Sequence, residues 1–345
     1  MLMFWTSVKT RLISVFSISG DESMSKRVIL SAFGIIIIFI VLLGFYWSSE
    51  PAVFSVQQKT AEKLALAGNE YVVGSTTTVA LITVAKTLLN KPGGYLSNDV
   101  SPPGIYLDNI PSWEFGALVQ VRDLARTFRE SFSRSQSQST EDPDLIISGP
   151  KFHFSNDSWL FPATESEYAE AIDRLDSYLA RISDSANTDA QFYARADNLA
   201  DWLLAVESRL GSLSQRLSAS VRQQRVNTDA AAAQSTPVRS EVLVKTPWLQ
   251  IDDIFYEARG ATWALMHFLK AVEVDFKDVL EDKNAEASLS QIIRELEASQ
   301  RSIFFPIILN GSGFGIFANH SLAMANYISR ANAAIIDLRN LLSQG

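Results

Sequence analysis

The sequence predicts a mostly α-helical protein: one transmembrane helix near the N-terminus, then a multi-helix bundle containing a long antiparallel helical hairpin. Three observations predict it. Residues Val28 to Trp47 carry no charge, long segments place apolar residues at alternating steps of three and four, and strand-like segments are few.

The uncharged run VILSAFGIIIIFIVLLGFYW has the length needed to cross roughly 30 Å of hydrocarbon. Tyr46 and Trp47 close it with rings that favour the headgroup layer. A buried core helix is the competing reading, but such a helix seldom lacks a polar face over so many residues. A cleaved signal peptide fits less well, because the run is long and the following SSEPAVF lacks a small-x-small cleavage pattern. Lys9, Arg11, Lys26 and Arg27 precede the helix, against Lys59 and Lys63 after it, so residues 1–27 are expected in the cytoplasm and 48–345 outside it. The first twenty residues read either as an amphipathic helix on the inner membrane surface or as a dispensable extension before Met24.

Beyond the membrane segment, helices are expected near Val56–Leu66, Thr76–Leu89 and Trp113–Ser133. Tyr168, Ile172, Leu175, Leu179 and Ile182 form the stripe of the next, with a Thr164–Glu167 capping box. From Thr188 to Gln224, Phe192, Ala196, Leu199, Leu203, Val206, Leu210, Leu213 and Leu217 make a heptad seam, with Thr188–Gln191 as its capping box. The short SDSANTD link makes these two helices antiparallel partners, and they form the predicted hairpin. Further helices follow at Ile251–Leu280, Leu289–Ala298 and Phe314–Leu342, the last with a stripe through His320, Met324, Tyr327, Ala331, Ala334, Leu338 and Leu341. Short extended pieces are expected at Tyr71–Val73, Lys151–Phe154 and Glu241–Val244. Residues 226–246, rich in Ala, Ser, Thr and Gln, read as an exposed flexible connector. The loop from Lys91 to Pro111 is rich in Pro and Gly yet contains Tyr95, Leu96, Val100, Ile105, Tyr106 and Leu107. It is therefore expected to be ordered and packed on the bundle.

Composition removes several function classes. The net charge is −8, and with a basic N-terminal flank the residues after the membrane segment carry −10, which disfavours nucleic-acid binding. With no cysteine there are no disulfides, thiolate metal sites or cysteine nucleophiles. Of three histidines, His267 and His320 lie on apolar helical faces and read as core or boundary residues, while His153 falls in an extended segment. No HxxxH or HExxH spacing supports a zinc site. No metal or cofactor is expected.

What remains for catalysis is carboxylates. Asp253 and Glu257 stand one helical turn apart and could share a site, with Arg259 aimed elsewhere. Asp99 and Asp108, flanked by Asn98 and Asn109, are oxygen donors of the kind Ca²⁺ takes, but without EF-hand spacing; Glu114 follows on the next helix. Gly311, Gly313 and Gly315 form GSGFG before a helix, which lacks the Walker lysine and reads as a helix-breaking loop. Asn319, Asn326, Arg330 and Asp337 form a polar row on the last helix, either a solvated face or a seam for a partner. Tyr95, Tyr106 and Trp113 are the aromatic candidates for partner binding.

The phrases KPGGYLSNDV, PPGIYLDNIPSWEFGALVQVRDLAR, FYARADNLADWL, TPWLQIDDIFYEARGATWAL and ISRANAAIIDLRNLLSQG resemble a bacterial family known as domain of unknown function 2333, over nearly all of the chain from the membrane helix onward. That resemblance implies a proteobacterial envelope protein with one membrane anchor, and no activity. The expectation is a non-catalytic interaction or scaffold module at the inner membrane. It would face the periplasm and bind the bilayer through Val28 to Trp47, and another envelope protein or itself through the domain. The alternative is an envelope hydrolase using a carboxylate acid/base pair.

Overall fold

The computed structural model describes residues 22–135, 139–184, 189–221, 223–226, 241–303 and 307–344. The possible surface helix in the first twenty residues, Thr188 with its proposed capping box, and the middle of the 226–246 segment fall outside them.

Helix α1 (Glu22–Trp47) contains the stretch Lys26–Trp47, with mean hydropathy 3.1 and only 6 % of its apolar window buried. A core helix of this fold would be covered. Instead Ile29, Leu30, Phe33, Ile38 and Phe45 are all more than half exposed. The helices that follow are α2 (Val56–Ala67), α3 (Ser75–Asn90) and α4 (Asn109–Thr127), the last continuing through a π-helical turn at Phe128–Phe132. Next come α5 (Pro143–Phe152), α6 (Thr164–Ile182) and α7 (Ala196–Ser218). Strands β1 (Gln223–Val226) and β2 (Glu241–Val244) pair antiparallel, and the chain ends with α8 (Ile251–Asp275), α9 (Lys277–Asp282), α10 (Glu286–Ser299) and α11 (His320–Ser343).

Helix α8 is the axis of the bundle. Every residue from Ala258 to Leu269 is buried, so the one-sided stripe expected of it is too narrow. Such a helix needs neighbours on all sides. Small residues let α4 approach closely: a Cβ on Gly116 would overlap the Glu257 carbonyl, and one on Gly260 would overlap the Trp113 carbonyl. Ser112 meets Asp253 and Phe132 meets Phe276, so α4 and α8 run parallel. Helix α10 returns antiparallel, with Ser290 on Glu273 and Ser299 on Thr262.

The predicted hairpin is corrected. Leu199, Leu203, Val206, Leu210, Leu213 and Leu217 are buried as the heptad spacing requires, but the partner of α7 is α11, not α6. Ser214 bonds Ser329, and Glu207 pairs with Arg339 three turns further along α11, which makes that pair antiparallel. Helix α6 packs on α5 and α3 instead. The link is longer than SDSANTD because α7 starts at Ala196, after an extended stretch. Nor is Thr164 a cap: its hydroxyl donates to the Ser155 and Ser158 carbonyls. Other boundaries move for local reasons. Pro111 sits inside the first turn of α4, where a missing N–H costs nothing. Lys151–Phe152 ends α5 rather than forming a strand, and α11 begins at His320 because Asn319 caps it. Both ends of the 226–246 segment lie in the β1–β2 ribbon, which grows from the end of α7 through a Thr246 N–H to Ala219 carbonyl bond of 2.8 Å.

Candidate functional site

The most elaborate side-chain chemistry lies where the chain leaves α1 and meets the bundle. Arg259, 5 % exposed on α8, is an unlikely guest in an apolar core unless its fork is filled. Glu50, three residues past α1, fills it: Nε stands 2.8 Å and Nη2 2.5 Å from the two carboxylate oxygens. Its Nη1 donates to the carbonyls of Ser299 and Arg301 at 3.2 and 3.0 Å. One guanidinium thus ties together the α1 exit, α8 and the end of α10. A cavity of about 390 Å³ opens beside it, lined by Glu50, Pro51, Tyr256, Arg259, Trp263 and Gln300.

The chain continues along α8. The Phe54 ring stacks on His267 at 3.9 Å, and the Phe54 N–H donates to His267 Nε2 at 3.1 Å. Nδ1 lies 2.7 Å from the Trp263 carbonyl, so the neutral tautomer with the proton on Nδ1 satisfies both partners. Burial holds the imidazole down at about 4.

On the other side of α1, the Lys91–Pro111 loop folds as a collar. Gly44 is buried under Pro103 and Leu107, and Gly93, at φ 86°, has no space for a Cβ against the Trp47 ring. The loop is held by a fully buried ion pair, Lys91 Nζ to Glu114 Oε1 at 2.6 Å. Glu114 also accepts from the N–H groups of Leu96 and Ser97 at 2.9 and 2.8 Å and from the Ser97 hydroxyl, while Lys91 donates to the Gly94 carbonyl. Burial pushes the Glu114 carboxyl up, against the pull of Lys91 and these donors.

The structure does not bring the sequence candidates into one site. Glu114 is committed to the collar. Asp108 is exposed and accepts from the Asn109 N–H at the start of α4. Asp253 lies in the first turn of α8, where the helix dipole favours negative charge, and accepts from Ser112 at 3.2 Å. Its carboxyl is raised by burial and by Asp108, Asp252 and Glu257 nearby. Glu257 pairs with Arg216 of α7 beside a cavity of about 370 Å³. Asp99 is raised by burial and by Glu165, which itself takes the Asn98 amide at 2.7 Å. Among the described residues no group of three or more His, Asp or Glu side chains gathers as a metal would require.

Two aromatic candidates need correction: Tyr95 is 4 % and Trp113 0 % exposed, both in the core, so neither can meet a partner. Tyr106 is 76 % exposed. On α11, Asn326, Arg330 and Asp337 face outward, whereas Asn319 caps the helix, accepting from Leu322 N–H and donating to the Gly311 carbonyl. The Gly311 N–H already donates to the Ala318 carbonyl and the Leu322 N–H to Asn319, so these backbone donors are not free for an anion and GSGFG reads as a loop. His320 accepts from the Leu309 N–H, and His153 caps α5 on the surface.

Sequence reasoning missed Glu50–Arg259, the Lys91 partner of Glu114, and Asp275, which binds the Thr77 N–H at 2.6 Å and hydroxyl at 2.7 Å at the far end of the bundle. Position gave one clue: Glu50 is the first charge after twenty uncharged residues and two serines.

Fold and junction define a class: an α-helical bundle preceded by one N-terminal helix apolar enough to cross a membrane, with the bundle packed against the end of that helix. The chain belongs to the family described as an uncharacterized protein conserved in bacteria, domain of unknown function 2333, which matches residues 21–345. No curated protein and no solved structure matches the chain.

Proposed function

We propose that the protein is a single-pass inner-membrane protein of the bacterial cell envelope. Residues 1–27 lie in the cytoplasm, 28–47 cross the bilayer, and the helical domain from residue 48 stands in the periplasm as a non-catalytic interaction or scaffold module. The observation that carries the reading is the bonded joint between α1 and the bundle. Arg259 grips Glu50 with three bonds and two carbonyls with others, and Trp47 and Gly44 pack into the collar. A domain set at a fixed attitude to its membrane helix suits presentation of a surface. The cationic flank Lys9, Arg11, Lys26 and Arg27 supports the orientation. Four of the five candidate carboxylates are engaged elsewhere in the fold, Glu114 by Lys91, Glu257 by Arg216, Asp253 by Ser112 and Asp108 by the cap of α4. The outward row Asn326, Arg330 and Asp337 on α11 is the face assigned to a protein partner or a second copy.

Photo-crosslinking amino acids at Asn326 and Asp337 in intact cells test this. A discrete protein adduct is expected, with Glu257→Gln leaving the cellular phenotype unchanged. Absence of any adduct, together with loss of the phenotype in Glu257→Gln protein that folds normally, favours the hydrolase. A C-terminal alkaline phosphatase fusion should be active; an inactive one reverses the topology.

A further inference from the structure

Four helices point their N-termini the same way. The contacts of Ser112 with Asp253 and of Phe132 with Phe276 align α4 with α8. The contact of Tyr95, which the Leu96 N–H to Glu114 bond holds at the start of α4, with Tyr168, and that of Phe128 with Tyr178 at the other end, align α6 with α4. Phe255 with His320 at one end, and Lys283 with Gln344 at the other, align α11 with α8. The shared end is the one that receives α1, because Gly44 lies on Pro103 and Leu107 just ahead of α4, and Glu50 lies on Arg259 of α8.

Each of the four is preceded by a loop whose apolar side chains stand in the open. Ahead of α4, Ile105 and Tyr106 are 55 % and 76 % exposed. Ahead of α6, Trp159 and Phe161 project from a loop tied to the collar by the Asn98 amide on the Ser158 carbonyl. Ahead of α8, Trp248 and Leu249 are each about three-quarters exposed, and ahead of α11 Phe314 and Ile316 have no cover at all. Soluble surfaces seldom gather so much apolar area at one end, whereas Trp, Tyr and Phe are favoured side chains for the headgroup layer of a bilayer. Charge does not explain the cluster: Asp108, Asp252 and Asp253 lie at this end, so anionic lipid would not draw it in.

We propose that these four loops rest in the headgroup layer of the same bilayer that α1 crosses, so that the domain lies end-on against the membrane instead of standing away from it. The occupant is a lipid surface because the tips are continuous with α1: the collar that carries Ile105 and Tyr106 already reaches Gly44, one turn inside the apolar stretch. The inference rests on α1 being a membrane anchor, and its test separates the two.

The chain has no cysteine, so one introduced cysteine takes one nitroxide label. Full-length Tyr106→Cys, Trp159→Cys, Leu249→Cys and Phe314→Cys are labelled and reconstituted in phosphatidylcholine nanodiscs. Ile36→Cys reports on the anchor. Leu66→Cys, 88 % exposed near the far end of the bundle, reports on water. Collisions with oxygen, which concentrates in lipid, are compared with those of a water-soluble nickel chelate. Oxygen should dominate at Ile36 and nickel at Leu66, with the oxygen-to-nickel ratio at the four tips standing clearly above that at Leu66 and below that at Ile36. Tips that read like Leu66 while Ile36 reads lipid overturn the docking and leave the anchor. Nickel dominance at Ile36 overturns both. Tips shielded from both reagents mean a protein covers them, which also overturns the docking.

Discussion

Acidification should loosen the joint between α1 and the bundle through one side chain, His267. Its ring is neutral in the folded protein, with Nε2 accepting from the Phe54 N–H and Nδ1 donating to the Trp263 carbonyl. Protonation would put a second donor against an N–H in a buried site. The folded-state value, about 4, lies below the unfolded 6.5, so the folded protein binds fewer protons. This contribution to stability is complete above pH 6.5 and is lost as pH falls from there toward 4. At about 1.4 kcal/mol per pH unit the loss reaches roughly 3 kcal/mol near pH 4. For a domain of this size that lowers a urea midpoint by about 1 M. The assay is urea unfolding of the full chain in detergent, followed by tryptophan fluorescence at a series of pH values from 7.5 to 4.5. Glu114 and Asp275 are raised by burial and shift stability in the opposite sense, so the informative quantity is the difference from His267→Gln, which does not titrate. Wild type should lose stability on acidification faster than the variant. Parallel curves for the two proteins would refute the assignment of a buried neutral imidazole.

Glu114→Gln leaves Lys91 charged and buried, and should cost about 3–5 kcal/mol in urea unfolding, partly restored by adding Lys91→Met; a cost below 1 kcal/mol contradicts the buried pair. Ser214→Cys with Ser329→Cys should form a disulfide within one chain on mild oxidation, because the two hydroxyls are 2.5 Å apart across α7 and α11; cross-links only between chains would restore the α6–α7 hairpin. Gly260→Ala forces a methyl into the Trp113 carbonyl and should lower the thermal midpoint by several degrees, equivalent to about 1–3 kcal/mol; an unchanged midpoint would mean that α4 and α8 are not in backbone contact.

The sequence made faces legible, but not partners. The heptad residues of α7 declared which side would be buried, and all six from Leu199 to Leu217 are. They could not name α11, whose stripe of Met324, Ala331 and Leu338 is diluted by Ala, Ser and Asn, so the nearer helix in sequence looked like the partner. The capping pattern at Thr164 misled because a threonine hydroxyl serves any nearby carbonyl, and here two lie in the preceding loop. The collar could be anticipated from aromatic residues in a Pro/Gly-rich loop. Its lock could not, since Lys91 and Glu114 are 23 positions apart and each alone looks like a surface charge. Arg259 hid the depth of α8 for the same reason: a charged residue implies solvent until a tertiary partner is known. Tyr95 and Trp113 show the converse, since an aromatic residue in a loop or at a helix start does not reveal whether it points in or out.

The most direct test of the fixed joint is a distance. Spin labels at Tyr46→Cys, at the end of α1, and Asp282→Cys, at the far end of the bundle, are measured by pulsed electron resonance in full-length protein held in lipid nanodiscs. One narrow distance distribution is expected, broadening when Arg259→Gln removes the grip on Glu50. A broad distribution in the otherwise unaltered chain would contradict the joint, and with it the fixed presentation on which the proposed function depends.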